Sequence, residues 1–284
     1  RGGGLFGAAT VTVTDDAARQ VAVPKRVQRV VSLAPSATEI LYAVGAGGQV
    51  VGVDAYSNFP AAALDVAKVG DYAQISMESV VALKPDVVLA SSLHGAQLAQ
   101  MEQLGLKVLF VEPRNMEGVY KDIELVGKVT GHEAEAGRVI SDMKAQLAAV
   151  ASKLAGLSAE ERPVVYYEVW ADPLMSAGPK TYTHEVIQLA GGNNLAHDAE
   201  VDYPILTSEL IVARNPAVIV WPTFHGAEQL TPARLSERPG WGSISAIKGG
   251  RVHSIDADII SRGGPRLADA VVEMAKLLHP ERFR

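Results

Sequence analysis

Aromatic and polar side chains follow the predicted strands of this 284-residue chain, where a bound ligand would be met. In the first half, Tyr56 and Tyr72 stand in such loops. In the second half, equivalent places are held by Trp170, Tyr203, Phe224, Asp258 and Arg262. Exposed aromatic rings cost solvation free energy unless they cover something, and their faces stack on flat, partly apolar molecules. As a set, these residues favour ligand binding over packing between lobes.

Two glutamates occupy matching places in the two halves. Glu78 and Glu209 each lie at or near the start of a predicted helix, where the helix dipole stabilises a carboxylate. One interpretation is helix capping, with help from Ser76 or Thr207. The other is a pair of docking points for a two-fold symmetric partner that presents basic residues to both carboxylates. The residues alone leave both interpretations open.

A catalytic constellation is absent from the sequence. The chain has no cysteine, which excludes thiolate catalysis, iron–sulfur clusters and disulfides, and it has no G-x-S-x-G nucleophile elbow. Its 7 histidines show no H-x-H or H-E-x-x-H spacing, so a zinc site would need long-range assembly. Gly45-Ala46-Gly47-Gly48 follows a predicted helix, which indicates a helix end rather than a dinucleotide loop. We expect no catalytic residue, no metal and no cofactor.

Composition describes an ordinary globular chain, with 48% hydrophobic and 20% charged residues. The net charge of −6 argues against nucleic acid, because phosphate binding needs a basic face. The sequence contains no apolar run of the ~18–20 residues that a membrane span requires. Arg1-Gly2-Gly3-Gly4 opens the chain without the hydrophobic segment of a signal peptide, as in a mature, trimmed or cytosolic protein.

Short apolar segments separated by helices predict a mostly parallel sheet in each half, covered on both faces. The predicted strands are Val30–Leu33, Val50–Val53, Asp86–Ala90, Lys107–Val111, Val164–Val169, Val218–Trp221 and Val252–Ile255, after an edge strand Thr10–Thr14. The predicted helices between and after them are Ala37–Val44, Met77–Leu83, Ala96–Leu104 and Leu267–Leu278.

The middle of the chain carries no strand signal, and Glu133–Leu154 predicts one helix of roughly 30–35 Å. The order is therefore lobe, long helix, lobe. We expect an α/β fold with an N-terminal α/β lobe at 1–117, a helical linker with a spanning helix at 118–158, and a C-terminal α/β lobe at 159–284.

The two predicted lobes repeat each other. Ser76–Val88 and Thr207–Ile219 both fit S/T-x-E-x-x-V-A-x-x-P-x-V-V/I without a gap. A looser match pairs Glu39-Ile40-Leu41 and Gly45 with Glu185-Val186-Ile187 and Gly191. Two similar α/β lobes leave a cleft between them, and ligands of open α/β sheets lie at the carboxyl ends of the strands.

These motifs carry a resemblance to a known family. The Ser32–Glu39 sequence SLAPSATE, the Glu78–Asp86 segment and the lobe–helix–lobe order resemble the periplasmic binding proteins of iron-complex and cobalamin ABC importers. The similarity runs from about Thr10 to Leu278 and is greatest to the cobalamin-binding branch. It implies a class III fold, with two Rossmann-like lobes with mostly parallel sheets, joined by one long rigid helix, and cargo in the cleft. It also implies a permease that reads one glutamate per lobe through arginines, at Glu78 and Glu209.

The resemblance also assigns ligand contacts residue by residue. The cobalamin-contacting tyrosine falls on Tyr56, and two tryptophans that flank the corrin fall on Tyr72 and Tyr203. An aspartate and an arginine of the second lobe fall on Asp258 and Arg262. These assignments imply aromatic faces against the macrocycle and hydrogen bonds to its amide side chains.

Some positions depart from the family pattern. A third cargo-flanking tryptophan falls on Ser91, and Trp170 is the candidate to restore aromatic area. Haem-binding relatives place an iron-ligating tyrosine where this chain has Asp71, with Tyr72 one residue later. Ferric-siderophore relatives use cationic residues, for which Arg262 and Arg266 are the candidates.

The sequence therefore predicts a monomeric, non-enzymatic binding protein that captures cobalamin or a related corrinoid and delivers it to the transmembrane dimer of an ABC permease. The alternative cargo is haem or a ferric siderophore. A metal-dependent enzyme on a similar two-lobed fold is the rival from another class, and the missing cysteines argue against it. We expect a periplasmic or extracytoplasmic location, with or without a lipid anchor.

Overall fold

The computed structural model describes residues 9–223 and 229–284. The strands are β1 Thr10–Thr14, β2 Gln20–Pro24, β3 Val30–Ser32, β4 Val50–Val53, β5 Val87–Ala90, β6 Val108–Phe110, β7 Val164–Tyr167, β8 Trp170–Ala171, β9 Leu174–Met175, β10 Asn193–Asn194, β11 Val218–Thr223 and β12 Val252–Asp256. The α-helices are α1 Pro35–Ala43, α2 Met77–Ala82, α3 Gly95–Gln103, α4 Met116–Thr130, α5 Glu133–Lys153, α6 Tyr182–Leu189, α7 Ser208–Arg214, α8 Pro232–Ser236, α9 Ser245–Lys248, α10 Ala257–Ser261 and α11 Leu267–Leu278.

The chain divides into two compact units. The first holds the described residues through Pro113 together with Glu117–Ser141. The second holds Arg114–Met116 and the described residues of Asp142–Arg284. The division falls inside α5, so one continuous helix contributes residues to both units. The lobe boundaries predicted at residues 117 and 159 stay predictions.

The first unit is built on a parallel sheet with the strand order β4-β3-β5-β6. Every residue of β3, β5 and β6 is buried, which explains why these strands are nearly continuous apolar runs. Helix α3 covers the sheet through Met101, which packs in a core with Val88 and Phe110. The predicted strands of this half are confirmed, with ends that differ by one residue.

The second unit has a parallel sheet with the order β10-β7-β11-β12. Its core contains Tyr166 of β7 and Trp241, whose rings meet edge-to-face at 5.8 Å between centroids. The predicted strands near 164, 218 and 252 are confirmed. The two-residue strands β8, β9 and β10 are not predicted from the sequence, because two residues show no periodicity.

An N-terminal hairpin precedes the first sheet. Strands β1 and β2 pair antiparallel from Thr10–Pro24 to Thr14–Gln20. The Asp15 carboxylate closes the turn by accepting the amides of Ala17 and Arg19, and it also accepts the Phe110 amide at the end of β6. The predicted strand and turn are confirmed, and the tie to β6 is a tertiary contact.

The long helix is α5, one residue shorter than predicted. Its first turn carries Glu133 and Glu135 and its last turn Lys153, charges that complement the helix dipole. Among the described residues, no helix combines the length and apolar character needed to cross a membrane.

The repeated segments fold alike. Ser76 and Thr207 both cap the helix that follows, through side-chain oxygens that accept an amide three residues on. Eight residues after each cap, Lys84 and Asn215 adopt left-handed backbone with φ of 48° and 43°. The looser match also holds, because Gly45 and Gly191 end their helices with φ of 85° and 81°.

Candidate ligand-binding and docking residues

The predicted site residues lie in loops that follow parallel strands. Because these loops emerge at the carboxyl ends of the strands, the residues lie at one end of each sheet. We call residues 54–75 and 91–94, which follow β4 and β5, the first edge. Residues 168–173 and 257–262, which follow β7 and β12, form the second edge, together with 201–207, which leads into α7. Helices α2 and α7 also begin at these edges, since each returns antiparallel to its sheet.

Two exposed aromatic rings meet at the first edge. Tyr56 and Tyr72 stack with 5.8 Å between ring centroids and 27° between ring planes. They remain 52% and 56% exposed, so each ring contributes one face to the other and keeps a large surface for another molecule. The structure thus brings together two residues that the sequence places 16 positions apart.

The loop that carries Tyr56 is fixed by a buried polar network that sequence reasoning missed. The Asp54 carboxylate accepts the Tyr56 amide and the Ser57 hydroxyl. The Ser57 hydroxyl also contacts the hydroxyl of Thr38 on α1 at 2.7 Å. Asp54, Ser57 and Thr38 are buried, so the ring stands on a loop with little freedom to move. The sequence signal was weak, since these residues come from one loop and from a helix that precedes it in the chain.

A tight turn carries Tyr72. Gly70 forms an isolated antiparallel β-bridge with Ile75 across the turn. A Cβ at Gly70 would lie 2.1 Å from the Gln74 carbonyl oxygen. The Gly70 φ of +118° is a second reason that this position requires glycine. The Gly70 carbonyl accepts the Ala55 amide at 2.7 Å, which holds this turn against the loop of Tyr56.

Asp71, at the position where the resemblance implies an iron-ligating tyrosine in haem-binding relatives, takes part in the same turn. Its Oδ1 accepts the amides of Ala73 at 2.8 Å and Gln74 at 2.9 Å. This is a local turn-closing role typical of aspartate. The carboxylate oxygen used in the turn is not available to a metal.

Ser91 does not replace the aromatic ring that the family pattern has at its position. Its side chain is buried, and its amide donates to Nδ1 of His94. Because Nδ1 accepts, a neutral His94 carries its proton on Nε2, and burial lowers the pKa of this histidine. The neighbouring Leu93 is 66% exposed and is the apolar side chain that the first edge offers here. Sequence reasoning overlooked Leu93 because single leucines carry no functional signal.

Trp170 projects from the short β8–β9 hairpin of the second edge. It is 59% exposed, and its indole nitrogen donates to the Asp172 carbonyl at 2.9 Å, which fixes the ring orientation. Trp170 and Ser91 belong to different units, so the restored aromatic area stays a prediction. Phe224 lies outside the described residues.

Tyr203 lies in an extended segment that is pinned on both sides. Asp202 accepts the Gly178 amide at 2.7 Å and Pro204 accepts the Ser176 amide at 3.0 Å. Ile205 then bridges Met175 of β9. The Tyr203 ring itself is 54% exposed. It is thus presented in the same manner as Tyr72, with support from different elements.

Asp258 and Arg262 face each other on the short helix α10 and the residue that ends it. The Arg262 Nη2 atom lies 3.0 Å from the Asp258 Oδ1 atom. The Asp256 side chain caps the helix by accepting the Asp258 amide. The structure therefore brings these two predicted contact residues together as an ion pair.

A second ion pair at this edge was not foreseen. Glu168 directly follows β7, and its buried carboxylate accepts both terminal nitrogens of Arg238 at 2.6 and 2.9 Å. The Arg238 guanidinium also lies 4.5 Å from the Trp241 ring centroid. Seventy residues separate the partners, which hides the pair from sequence inspection.

Neighbouring hydroxyl groups, and not the carboxylates of Glu78 and Glu209, cap helices α2 and α7. Ser76 and Thr207 provide the caps, by accepting the amides of Ser79 and Leu210. Both glutamates are exposed in the first helical turn. In the described part of the chain neither carboxylate accepts a hydrogen bond, so each can pair with an external cation.

The donor groups near these edges do not assemble into a metal centre. Among the described residues, no group of three or more histidine, aspartate or glutamate side chains is arranged to hold an ion. Whether the chain carries a cofactor stays a prediction.

A family model described as periplasmic binding protein matches residues 30–259. The chain belongs to this family. Its members bind solutes rather than convert them, so the expectation of a non-enzymatic protein is confirmed. The resemblance drawn from the sequence motifs is confirmed as well, and so is the α/β fold of parallel sheets with flanking helices.

One relative is the uncharacterized ABC transporter substrate-binding lipoprotein YvrC of Bacillus subtilis strain 168. The two are 35% identical over 280 residues, which covers 96% of this chain and 87% of YvrC. At this identity and coverage, the chain is a substrate-binding protein of the ABC-importer type.

Two solved structures are similar and differ in cargo. The periplasmic vitamin B12 binding protein BtuF of Vibrio cholerae has a TM-score of 0.76 and 26% identity, over 92% of this chain and 100% of BtuF. The periplasmic heme-binding protein BhuT, in complex with two hemes, has a TM-score of 0.78 and 26% identity, over 89% of this chain and 98% of BhuT. The similarity therefore identifies the class of protein and leaves the cargo open.

Proposed function

We propose that the chain captures a corrinoid, such as cobalamin, and delivers it to the transmembrane dimer of an ABC permease. The observation that carries this proposal is the stacked, exposed pair of Tyr56 and Tyr72. Aromatic faces bind flat macrocycles through dispersion and apolar burial. Trp170 and Tyr203 add two more exposed rings at the second edge.

The first edge favours a corrinoid over haem. The carboxylate of Asp71 is bound within its own turn, and Tyr72 stacks on Tyr56 rather than standing alone as a ligand. Haem stays the alternative, because one structural neighbour is a heme-binding protein.

Glu78 and Glu209 support delivery to a permease. Each glutamate is exposed at the same position of a capped helix. Each of these helices begins at the edge that presents the aromatic rings of its unit. A two-fold partner with arginines would meet both carboxylates in charge-assisted hydrogen bonds. We place this function outside the cytoplasm, in keeping with a relative named as a lipoprotein, and we expect the chain to act as a monomer.

Equilibrium dialysis tests the cargo. The purified chain is dialysed against cyanocobalamin, cobinamide or haemin, and the absorption spectrum of the retained material is read. We expect corrinoid colour at one equivalent. Retained haem with no retained corrinoid would overturn the proposal and make Tyr72 the first iron-ligand candidate.

Two variants locate the binding surface. Tyr72→Ala and Tyr203→Ala should each weaken cyanocobalamin binding by roughly 1–3 kcal/mol, as expected for aromatic anchors. Leu104→Ala and Leu189→Ala are matched controls, because these exposed leucines lie at the helix ends opposite the two edges. Unchanged affinity in both tyrosine variants would exclude the two edges as the binding surface.

A further inference from the structure

Two arginines at the second edge or in contact with it, Arg238 and Arg262, are each paired with a carboxylate of that edge. Arg238 holds Glu168 in a two-bond fork, with nitrogen–oxygen distances of 2.6 and 2.9 Å. The Glu168 side chain is only 2% exposed and that of Arg238 is 22% exposed. The guanidinium face that matches a carboxylate is therefore already occupied by one.

Arg262 is paired as well, with the less buried carboxylate of Asp258 on the same short helix. Its Nη2 atom lies 3.0 Å from the Asp258 carboxylate, and its side chain is 13% exposed. Arg266, four residues further on, is engaged as well. An incoming anion would have to displace a carboxylate from its arginine. For the buried Glu168 this would leave a desolvated charge without a partner, which costs several kcal/mol.

The cation of the first edge is Lys68, an exposed residue with two of its three N–H donors in use within the chain. The Lys68 ammonium donates to the carbonyls of Ser57 and Ala63 at 3.0 Å each. Glu78, at the start of α2, adds an exposed carboxylate beside this edge. Buried His94 is held neutral, since burial lowers its pKa and Nδ1 accepts a hydrogen bond.

We infer that the chain selects its cargo by charge, taking neutral or cationic flat metal complexes and rejecting anionic ones, with Glu168 and Asp258 as the residues that set this selectivity. The inference rests on the proposed function for the use of both edges. It adds a property that aromatic stacking does not provide, because a ring face binds neutral and anionic macrocycles alike.

A pair of corrinoids that differ only in charge tests the inference. One is cyanocobalamin, and the other is its monocarboxylate derivative, in which one peripheral amide is replaced by a carboxylate. We expect the wild-type chain to bind the monocarboxylate at least ten-fold more weakly. Haemin and molybdate extend the test to anions without a corrin ring, and we expect neither to be retained in dialysis at micromolar concentration.

Two variants test the two ion pairs. Glu168→Gln and Asp258→Asn each remove the charge of the carboxylate that is paired with one guanidinium, and we expect the ten-fold discrimination to fall below three-fold and haemin to be retained. Glu160→Gln is the matched control, since it changes the net charge equally at an exposed position of the same unit. Arg114→Gln removes an exposed cation outside both edges and should leave the discrimination unchanged. Thermal melts check that the Glu168 variant is folded.

The outcomes separate the two proposals. Stoichiometric retention of haemin or molybdate by the wild-type chain, or equal affinity for both corrinoids, would overturn the charge inference. If cyanocobalamin is not retained, the corrinoid proposal fails. In that case, retention of haemin by Glu168→Gln and Asp258→Asn, but not by Glu160→Gln, would support the charge inference. Absence of this gain would overturn it.

Discussion

The two units each present an exposed aromatic ring and an exposed glutamate on one short segment, but they support that segment differently. Glu78 follows Tyr72 by six positions, and Glu209 follows Tyr203 by six positions. In both units a hydroxyl that caps the following helix, Ser76 or Thr207, lies between the ring and the glutamate. Up to this point the two copies follow the same local rules.

The difference lies in what holds the ring. In the first unit the segment folds back on itself, and Gly70 pairs with Ile75. At the position of Gly70 the second unit has Val201, and there the segment pairs with the distant hairpin strand β9 through Ile205 and Met175. Repetition of a motif thus preserves caps and strands, whereas the surroundings of each copy decide how the functional ring is carried.

The largest expected effect tests what the two copies share. Replacing Glu78 and Glu209 together by glutamine should abolish cargo uptake, because the permease would lose both charge-assisted contacts. Cargo affinity should be unchanged, and the free energy of unfolding should change by less than about 0.5 kcal/mol, since the caps are elsewhere. Uptake is measured in cells that lack their own copy of the protein.

The control for this variant removes two other exposed carboxylates, with Glu133→Gln and Glu160→Gln. Glu133 also lies in the first turn of a helix. Uptake should stay normal in this control. Normal uptake in the Glu78 and Glu209 variant itself would reject docking through these residues.

A buried acid of the first unit predicts a pH response of stability. Glu168 of the second unit is paired with Arg238, whereas Asp122 of the first unit is 1% exposed with one unpartnered oxygen. Burial, followed by the nearby Asp16 carboxylate, raises the pKa of Asp122 to about 9. The folded chain therefore keeps this proton where the unfolded chain, with a pKa of about 3.9, has released it.

This contribution to stability is complete below about pH 4 and declines as the pH rises towards 9, by up to about 1.4 kcal/mol per pH unit. Asp122→Asn cannot ionise and should lack this decline. Denaturant unfolding of both proteins at pH 5 and pH 8 provides the measurement. Parallel pH profiles for the wild type and the variant would contradict a raised pKa.

Alanine should lower stability more at Gly70, in the turn of the first unit, than at Val201, the equivalent position of the second unit. Gly70→Ala places a Cβ against the Gln74 carbonyl at a φ of +118°, which should cost about 1–3 kcal/mol of folding free energy. It should also weaken cargo binding, because Tyr72 would lose its place beside Tyr56. Val201→Ala, at the equivalent exposed position, is the control and should change stability by less than about 0.5 kcal/mol. Equal effects would mean that the two segments are supported alike.

The smallest effect tests the shared caps. Ser76→Ala and Thr207→Ala should each cost about 1 kcal/mol of unfolding free energy, because each leaves a helix amide unsatisfied. Similar values would support the equivalence of the two segments. A cost confined to one variant would show that only one hydroxyl acts as a cap.

Much of the fold was predictable because it depends on neighbours in sequence. Buried parallel strands read as continuous apolar runs, and α5 follows from 21 residues rich in helix formers. The strands β8 and β9 were not predictable, since each has two residues and exists only because they pair with each other. The candidate residues Tyr56 and Tyr72 were predictable as exposed aromatics, but their stacking was not.

The sequence by itself determined the class of fold, the repeated capped helices and the residue types available for binding, because these rest on local periodicity, capping and side-chain chemistry. Only the tertiary structure decided which charges are cancelled. Glu168 meets Arg238 across 70 residues, and Asp122 meets Asp16 across 106. Electrostatic energies depend on distance in space and on burial, and neither is encoded by distance along the chain.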